Sequence, residues 1–355
     1  MRDVAIVSFA QAPNVRRETS RDEVEILVPV VAGAIERSGI PRAEIGFTVS
    51  GSCDFLAGQP FSFVLALDAA GAWPPIRESH VEMDGAWALY EAWVRLQHGD
   101  IDSALVYSFG KSSPGDLRDV MVMQLDPYYV APLWPDSISL AALQARAYLE
   151  SNGESNGHSE RDLAAVAARS RASARDNPNA QLAGDCDVDA LLAQPYLVSP
   201  LRKHDCPPIS DGAAAVVLAA GDTARRVCER PAWIRGIDHR IEPHALGVRD
   251  LTRSPSTALA GERAGVHDGP VDAAELHAPF SHQELILRDA LKLGDEVAIN
   301  PSGGALAANP MMSAGLIRLG EAARLVMDGK ADRTVAHATS GPCLQQNLVC
   351  VLEGE

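Results

Sequence analysis

Asn300-Pro-Ser-Gly-Gly-Ala-Leu-Ala-Ala-Asn-Pro-Met-Met-Ser-Ala-Gly315 is the stretch on which the reading of this chain turns. A polar, glycine-rich loop runs straight into a long helical pattern that continues through Leu316-Ile-Arg-Leu319. Gly303 and Gly304 supply backbone freedom, so the chain can approach a ligand closely there. Pro310 suits a first helical turn, because its fixed φ is already helical. An ordinary loop-to-helix turn has the same local chemistry, so two glycines alone do not define a site. The meaning has to come from what surrounds them.

On the C-terminal side the helical pattern covers 310–327, and strands are expected at 333–338 and 347–352. On the N-terminal side lie an extended piece at 296–300, a helix at 281–293 and strands at 271–276 and 213–219. The first half alternates in the same way. Strands are expected at 4–9, 45–50 and 103–109, helices at 23–37 and 61–70, and a short extended piece at 80–83. Residues 84–96, Asp-Gly-Ala-Trp-Ala-Leu-Tyr-Glu-Ala-Trp-Val-Arg-Leu, are apolar nearly all round and read as a buried helix. Repeated strand–helix–strand order argues for an α/β fold with a buried sheet.

An internal repeat is visible. One helix ends at Gly99-Asp-Ile-Asp102 and is followed by a strand that ends at Gly110; another ends at Gly329-Lys-Ala-Asp332 before a strand that ends at Gly341. Two copies of one α/β unit, each with a central helix, is the simplest reading. Between the copies, 114–135 is rich in proline and aromatics, and helices are expected at 137–150 and 160–176, separated by the polar turn cluster Asn152-Gly-Glu-Ser-Asn-Gly157. Such a long insertion either carries function or caps the core. The expected organisation is a first half at 1–112, an inserted region at 113–205, a return to the first half at 206–230 and a second half at 231–355.

Composition sets bounds. With 46% hydrophobic and 22% charged residues the 355-residue chain reads as soluble and globular. Thirty-one basic against 47 acidic residues give −16, which argues against nucleic acid or a basic membrane anchor as partner. No apolar run approaches the roughly 20 residues that span a bilayer, and the start has no signal-peptide layout. The expected location is cytoplasmic. Six scattered cysteines without CxxC spacing read as reduced thiols. His204-Asp-Cys206 falls short of a metal site, so no metal is expected.

Three segments carry a family resemblance. Residues 300–316 resemble the Gly-Gly-x4-Gly-His-Pro segment of thiolases, above all the sterol-carrier-protein-x type. Glu275-Leu-His-Ala-Pro-Phe-Ser281 resembles that type's Glu-Leu-His-Asp-Cys-Phe, and Asp205-Cys-Pro-Pro-Ile-Ser-Asp-Gly-Ala-Ala-Ala-Val-Val-Leu218 the segment that re-enters the core after the loop domain. The resemblance implies a thiolase fold, two similar halves in a five-layered α-β-α-β-α arrangement, and a dimer paired along an edge strand of the first half.

The family's reactive residues do not all survive. Asn309 stands where the resemblance places the general-base histidine. Asp84, with Glu82 nearby, lies where the acyl-carrying cysteine heads the first buried helix; a carboxylate there is either a general base or a helix N-cap. His277 matches the family histidine that helps polarise the thioester oxygen, whereas Pro279 replaces the adjacent cysteine. His282 has no motif support and reads as a surface residue at a helix start. Cys343 lies where many thiolases have their second cysteine, with Gln345 and Gln346 in place of the usual glycines. Gly303, Gly304, Gln345 and Gln346 are the positions expected to contact a coenzyme A thioester.

Without the nucleophile, two-step acyl transfer is not available. The residue types that remain suit a retro-aldolase, which cleaves a 3-hydroxyacyl-CoA with a base and enolate-stabilising donors but no acyl-enzyme. The resemblance extends to cysteine-less lipid-transfer proteins of bacterial sterol side-chain catabolism, which implies a second thiolase-like chain or a small zinc-ribbon/OB-fold partner. The alternatives are a non-catalytic subunit that completes a heteromer, and an acyl-CoA thiolase with displaced residues. No resident cofactor is expected; the coenzyme A thioester is substrate.

Overall fold

The computed structural model describes residues 2–151 and 157–355. The turn cluster expected at 152–157 therefore lies outside the described residues except for Gly157. The first half supplies β1 (Val4–Gln11), α1 (Glu23–Ser38), β2 (Phe47–Gly51), the short α2 (Asp54–Ala57), α3 (Ser62–Ala70), β3 (Glu78–Val81), α4 (Gly85–His98) and β4 (Ser103–Lys111). The inserted region carries α5 (Leu117–Met123), α6 (Ser137–Ser151), α7 (Glu160–Ser173), α8 (Val188–Leu192) and the small hairpin β5 (Tyr196–Val198) and β6 (Leu201–Arg202). The chain returns through β7 (Asp211–Ala220) and α9 (Gly221–Val227). The second half follows with β8 (Ala232–Ile241), α10 (Pro255–Ala264), β9 (Ala273–Leu276), α11 (Ser281–Leu291), β10 (Ala298–Ile299), α12 (Gly304–Ala307), α13 (Ala314–Met327), β11 (Arg333–Ser340) and β12 (Gln346–Glu353).

The strands form one hydrogen-bonded series, β10-β9-β11-β12-β8-β1-β7-β4-β2-β3. Its two ends mirror each other. In the first half β3, β2 and β4 run parallel, then β7 and β1 alternate antiparallel. In the second half β10, β9 and β11 run parallel, then β12 and β8 alternate antiparallel. The halves meet where Ala5 pairs with Trp233 and Ile6 with Ala232. The repeat in the sequence is thus the α4–β4 unit and its counterpart α13–β11.

Side chains sort into layers because strand residues alternate between faces. Ile6, Val106 and Val216 from the first half and Ala336, Leu348 and Cys350 from the second enclose the two helices α4 and α13. The opposite face of the first half, with Val7, Leu105 and Val217, packs on α1. The opposite face of the second, with Leu276, Val335 and Val351, packs on α10, α11 and the inserted helices α6 and α7. Helix, sheet, paired helices, sheet, helix: the chain has the five-layered thiolase fold. Leu89, Leu96, Leu316 and Leu319 are fully buried on the central helices, and each such side chain contributes about 1.5–3 kcal/mol by leaving water.

The structure departs from the sequence reading at β8, at α10 and at the start of α13. β8 and α10 were not expected; β8 joins the halves, but only its first residues are uniformly buried, so no clean period marks it. The helix expected from Pro310 begins at Ala314, because Pro310–Ser313 forms a turn in which Met312 has φ 71°. Among the described residues no helix is long and apolar enough to cross a membrane.

Candidate functional site

The N-termini of α4 and α13 meet at Asp84. Its Oδ1 accepts from Ala86 N (2.9 Å) and Leu316 N (3.0 Å), and its Oδ2 from Gly315 N (2.9 Å). One carboxylate therefore caps both central helices, answering donors that no intrahelical carbonyl can reach. Asp84 is 2% exposed. Burial pushes its carboxyl up from the usual range, while the three N–H groups and Arg318 oppose that push. Gly85 and Gly315 make this approach possible. A Cβ on Gly315 would come within 2.6 Å of Asp84 Oδ1, and one on Gly85 within 2.7 Å of Ser108 Cβ.

Around this point opens a cavity of about 800 Å³. Its lining draws on both halves and on α5 and α6 of the inserted region, and it is mainly apolar. Five of the seven methionines reach it: Met83, Met121, Met123, Met311 and Met312. Flexible thioethers fill irregular contours and adapt to a bulky apolar guest. Sequence spacing gave no sign of this cluster, because its members come from three separate segments.

His277, at the end of β9, and Asn309 line the cavity together. Thr339 N donates to His277 Nδ1 (3.3 Å), so the ring proton sits on Nε2. Nε2–H then donates to Asn309 Oδ1 (3.0 Å). Burial holds the His277 imidazole down to about 3, against the contrary pull of Asn309, so the ring is neutral at physiological pH. The arrangement fixes Asn309: its oxygen is taken by the ring, and its NH2 is the group left to a guest in the cavity. His277 was expected as a second donor to substrate, but its Nε2–H is already committed to Asn309.

Cys343 also lines the cavity, in a backbone conformation with φ 55°. Its thiol packs with Val122, Leu125 and Leu140. Burial pushes it up to about 11, with Arg249 opposing, so it is a thiol rather than a thiolate at neutral pH. Glu82 lines the cavity beside Met83, with half its side chain exposed.

Gly303, Gly304, Gln345 and Gln346 do not line the cavity. Ser302 is tied to Glu275 through its N–H and hydroxyl (both 2.8 Å), and Arg318 bonds both Glu275 and Ser302 at 2.6 Å. Asn300 accepts from Leu276 N and donates to Glu284. Gly303 lies so close to Ala174 that a Cβ would come within 2.6 Å of the alanine Cβ. The loop therefore clamps the inserted region to the second half, and only its far end, from Asn309, reaches the cavity. Gln345 is buried with its amide near the Glu242 carbonyl (3.4 Å), and Gln346 opens β12 against Ser340 and Ile241.

His282 is not a surface residue. It is fully buried, Nε2 faces Gln144 Oε1 at 3.2 Å, and burial alone holds it down to about 3. His337, also fully buried against Asn347, is held at about 4 for the same reason. All six cysteines are free. Among the described residues no group of three or more His, Cys, Asp or Glu is placed to hold a metal ion.

Paired helix heads between two mirrored sheets define the class of fold, that of the thiolases, and the chain's relatives in sequence are thiolases and thiolase-like proteins. It is 27% identical over 355 aligned positions, 90% of each chain, to an acetyl-CoA acetyltransferase of Methanothermobacter thermautotrophicus. It is 25% identical over 204 positions, 49% of this chain and 52% of the relative, to the 17-hydroxy-3-oxo-4-pregnene-20-carboxyl-CoA lyase of Mycobacterium tuberculosis. The solved Ltp2-ChsH2(DUF35) aldolase shares its fold, with TM-score 0.81 and 19% identity over 99% of this chain and 97% of that one. No family model matches the chain.

Proposed function

We propose that the chain is a carbon–carbon lyase that cleaves a 3-hydroxyacyl-CoA by a retro-aldol step. The observation that carries this reading is the His277–Asn309 pair, which orients a neutral amide donor at a cavity whose one buried cysteine is not ionised. In the step, a base removes the β-hydroxyl proton and the Cα–Cβ bond breaks. The β-carbon leaves as an aldehyde or ketone, and the bond's electron pair becomes a thioester enolate. Protonation at Cα completes the shortened acyl-CoA. The Asn309 NH2 bonds the enolate oxygen, where negative charge develops. Asn cannot take the hydroxyl proton, and Asp84 is engaged by three backbone N–H donors at both helix heads, so the base role is assigned to Glu82.

The apolar, methionine-lined cavity supports a bulky hydrophobic acyl group such as a sterol side chain, and the lyase relative supports the reaction class. A heteromer with a second thiolase-like chain or a zinc-ribbon/OB-fold partner is part of the proposal, supported by the two-component aldolase among the fold neighbours. Chains would pair along β3, which ends the sheet next to exposed Phe55, Phe61 and Trp73. A sedimentation profile with only single chains at micromolar concentration would contradict that pairing. The use of Asp84 as a cap for two helices favours a second reading, in which the chain is a structural subunit. Purified protein, alone and with its co-expressed neighbour, should cleave 3-hydroxyacyl-CoA probes. Cleavage by the complex that survives Asn309→Ala and Glu82→Gln unchanged would support the structural subunit instead.

A further inference from the structure

Ser50, His80 and Glu82 stand in line at the rim of the cavity. Ser50 Oγ lies 3.2 Å from His80 Nδ1, and His80 Nε2 lies 3.2 Å from Glu82 Oε2. A carboxylate only accepts, so the ring donates from Nε2, and Nδ1 is left facing the Ser50 hydroxyl. The composition is that of a hydrolytic triad, but the order relative to the cavity is reversed. Ser50 is 1% exposed in the interior of β2, out of reach of any acyl group. The end that lines the cavity is Glu82.

The carboxylate is held from other sides too. Asp54 N donates to Glu82 Oε1 at 2.8 Å, and the ring of Phe63 stacks on His80 at 4.5 Å with 15° between planes. The parallel pairing of β2 with β3 puts Ser50 directly opposite His80. Glu82 follows His80 by two residues, just past the end of β3, so strand register delivers the whole file. The Cys53 thiol lies against the same carboxylate, and burial first and the Glu82 charge second push it up, so it stays protonated.

We infer that Ser50 and His80 form a relay that orients the Glu82 carboxylate toward the cavity, with His80 as a positioning residue. The inference rests on the proposed role of Glu82 as the base. The relay holds Oε2 while Asp54 N holds Oε1, and the remaining lone pairs are left to the β-hydroxyl of a bound acyl group.

The test separates the ring from its hydrogen bond, in the full chain with its co-expressed partner. His80→Phe keeps the stack on Phe63 without a donor; His80→Gln keeps a donor without the ring. With a 3-hydroxyacyl-CoA probe, His80→Phe should lower kcat about 10- to 100-fold with KM nearly unchanged, as expected for a misaligned catalytic group. His80→Gln should recover most of that loss. The reverse order, with Phe tolerated and Gln damaging, would overturn the relay and leave only packing. A second readout is independent of turnover: the His80 Nε2–H resonance in nitrogen-15-labelled protein. It should be protected in the wild type and lost in Glu82→Leu; if Glu82→Leu leaves it unchanged, the relay is refuted. Full turnover by Glu82→Gln together with a protected wild-type resonance would instead overturn the base assignment while the relay stands.

Discussion

The two halves of this molecule share one strand order and one central helix each, yet they bring different ionisable groups to the cavity. The second half buries three neutral histidines, His277, His282 and His337, all held well below the usual range by burial. Of these, His277 orients an amide at the cavity. The first half brings two acidic groups to it: Asp84 is locked into both helix heads, and Glu82 lies at the rim. A repeated fold therefore places a fixed neutral donor on one side of the cavity and a carboxylate on the other. That division suits a reaction that moves a proton at one carbon and stabilises charge at another, without a covalent intermediate.

The largest effect should come from removing the shared cap. Asp84→Leu leaves three buried N–H groups without partners on two helices, and a loss of about 3–5 kcal/mol in urea unfolding is expected. A loss below about 1 kcal/mol would show that the helix heads do not depend on each other. Next, Asn309→Ala should reduce turnover about 10²–10³-fold with unfolding unchanged, the cost typical of one lost oxyanion donor. His277→Ala, which frees the amide rather than deleting it, should cost less, about 10- to 100-fold. Equal losses would mean that the imidazole contacts substrate itself.

A smaller effect is expected at the junction glycine. Gly315→Ala pushes a methyl into Asp84 and Ala338, and should cost about 1–3 kcal/mol by overpacking. The gentlest test is pH. The unfolded histidines take up protons near pH 6.5, whereas the folded ones resist until about pH 3–4. Each therefore adds stability that is complete above about pH 6.5 and is lost as pH falls toward 3–4, at roughly 1.4 kcal/mol per pH unit per proton. His282→Gln should flatten that acid slope by about one proton.

Much of this was legible in the sequence, and the reasons differ by element. The repeat around Gly99-x-x-Asp102 and Gly329-x-x-Asp332 revealed two like units, because helix ends and strand ends impose local residue choices. The buried helix at 84–96 was visible from its all-round apolarity. β8 was not, since polar residues (Arg235, Asp238, His239, Arg240) break its pattern and it is held by partners distant in sequence. At the site, Asp84, His277 and Asn309 were singled out, and all three line one cavity. Their contacts were not readable: no spacing shows that Thr339 N fixes a tautomer, or that one carboxylate caps two helices 230 residues apart. Gly303 and Gly304 illustrate the converse. Backbone freedom was evident, but whether it admits a ligand or a neighbouring helix depends on tertiary packing, and here Ala174 fills the space.

The most direct test is to quench turnover of a 3-hydroxyacyl-CoA by the assembled protein and weigh both products and polypeptide. The account predicts an aldehyde or ketone together with a shortened acyl-CoA in equal amounts, while the chain keeps its unmodified mass throughout. An acylated chain, with the added mass on Cys343, or products formed only when free coenzyme A is supplied, would contradict it.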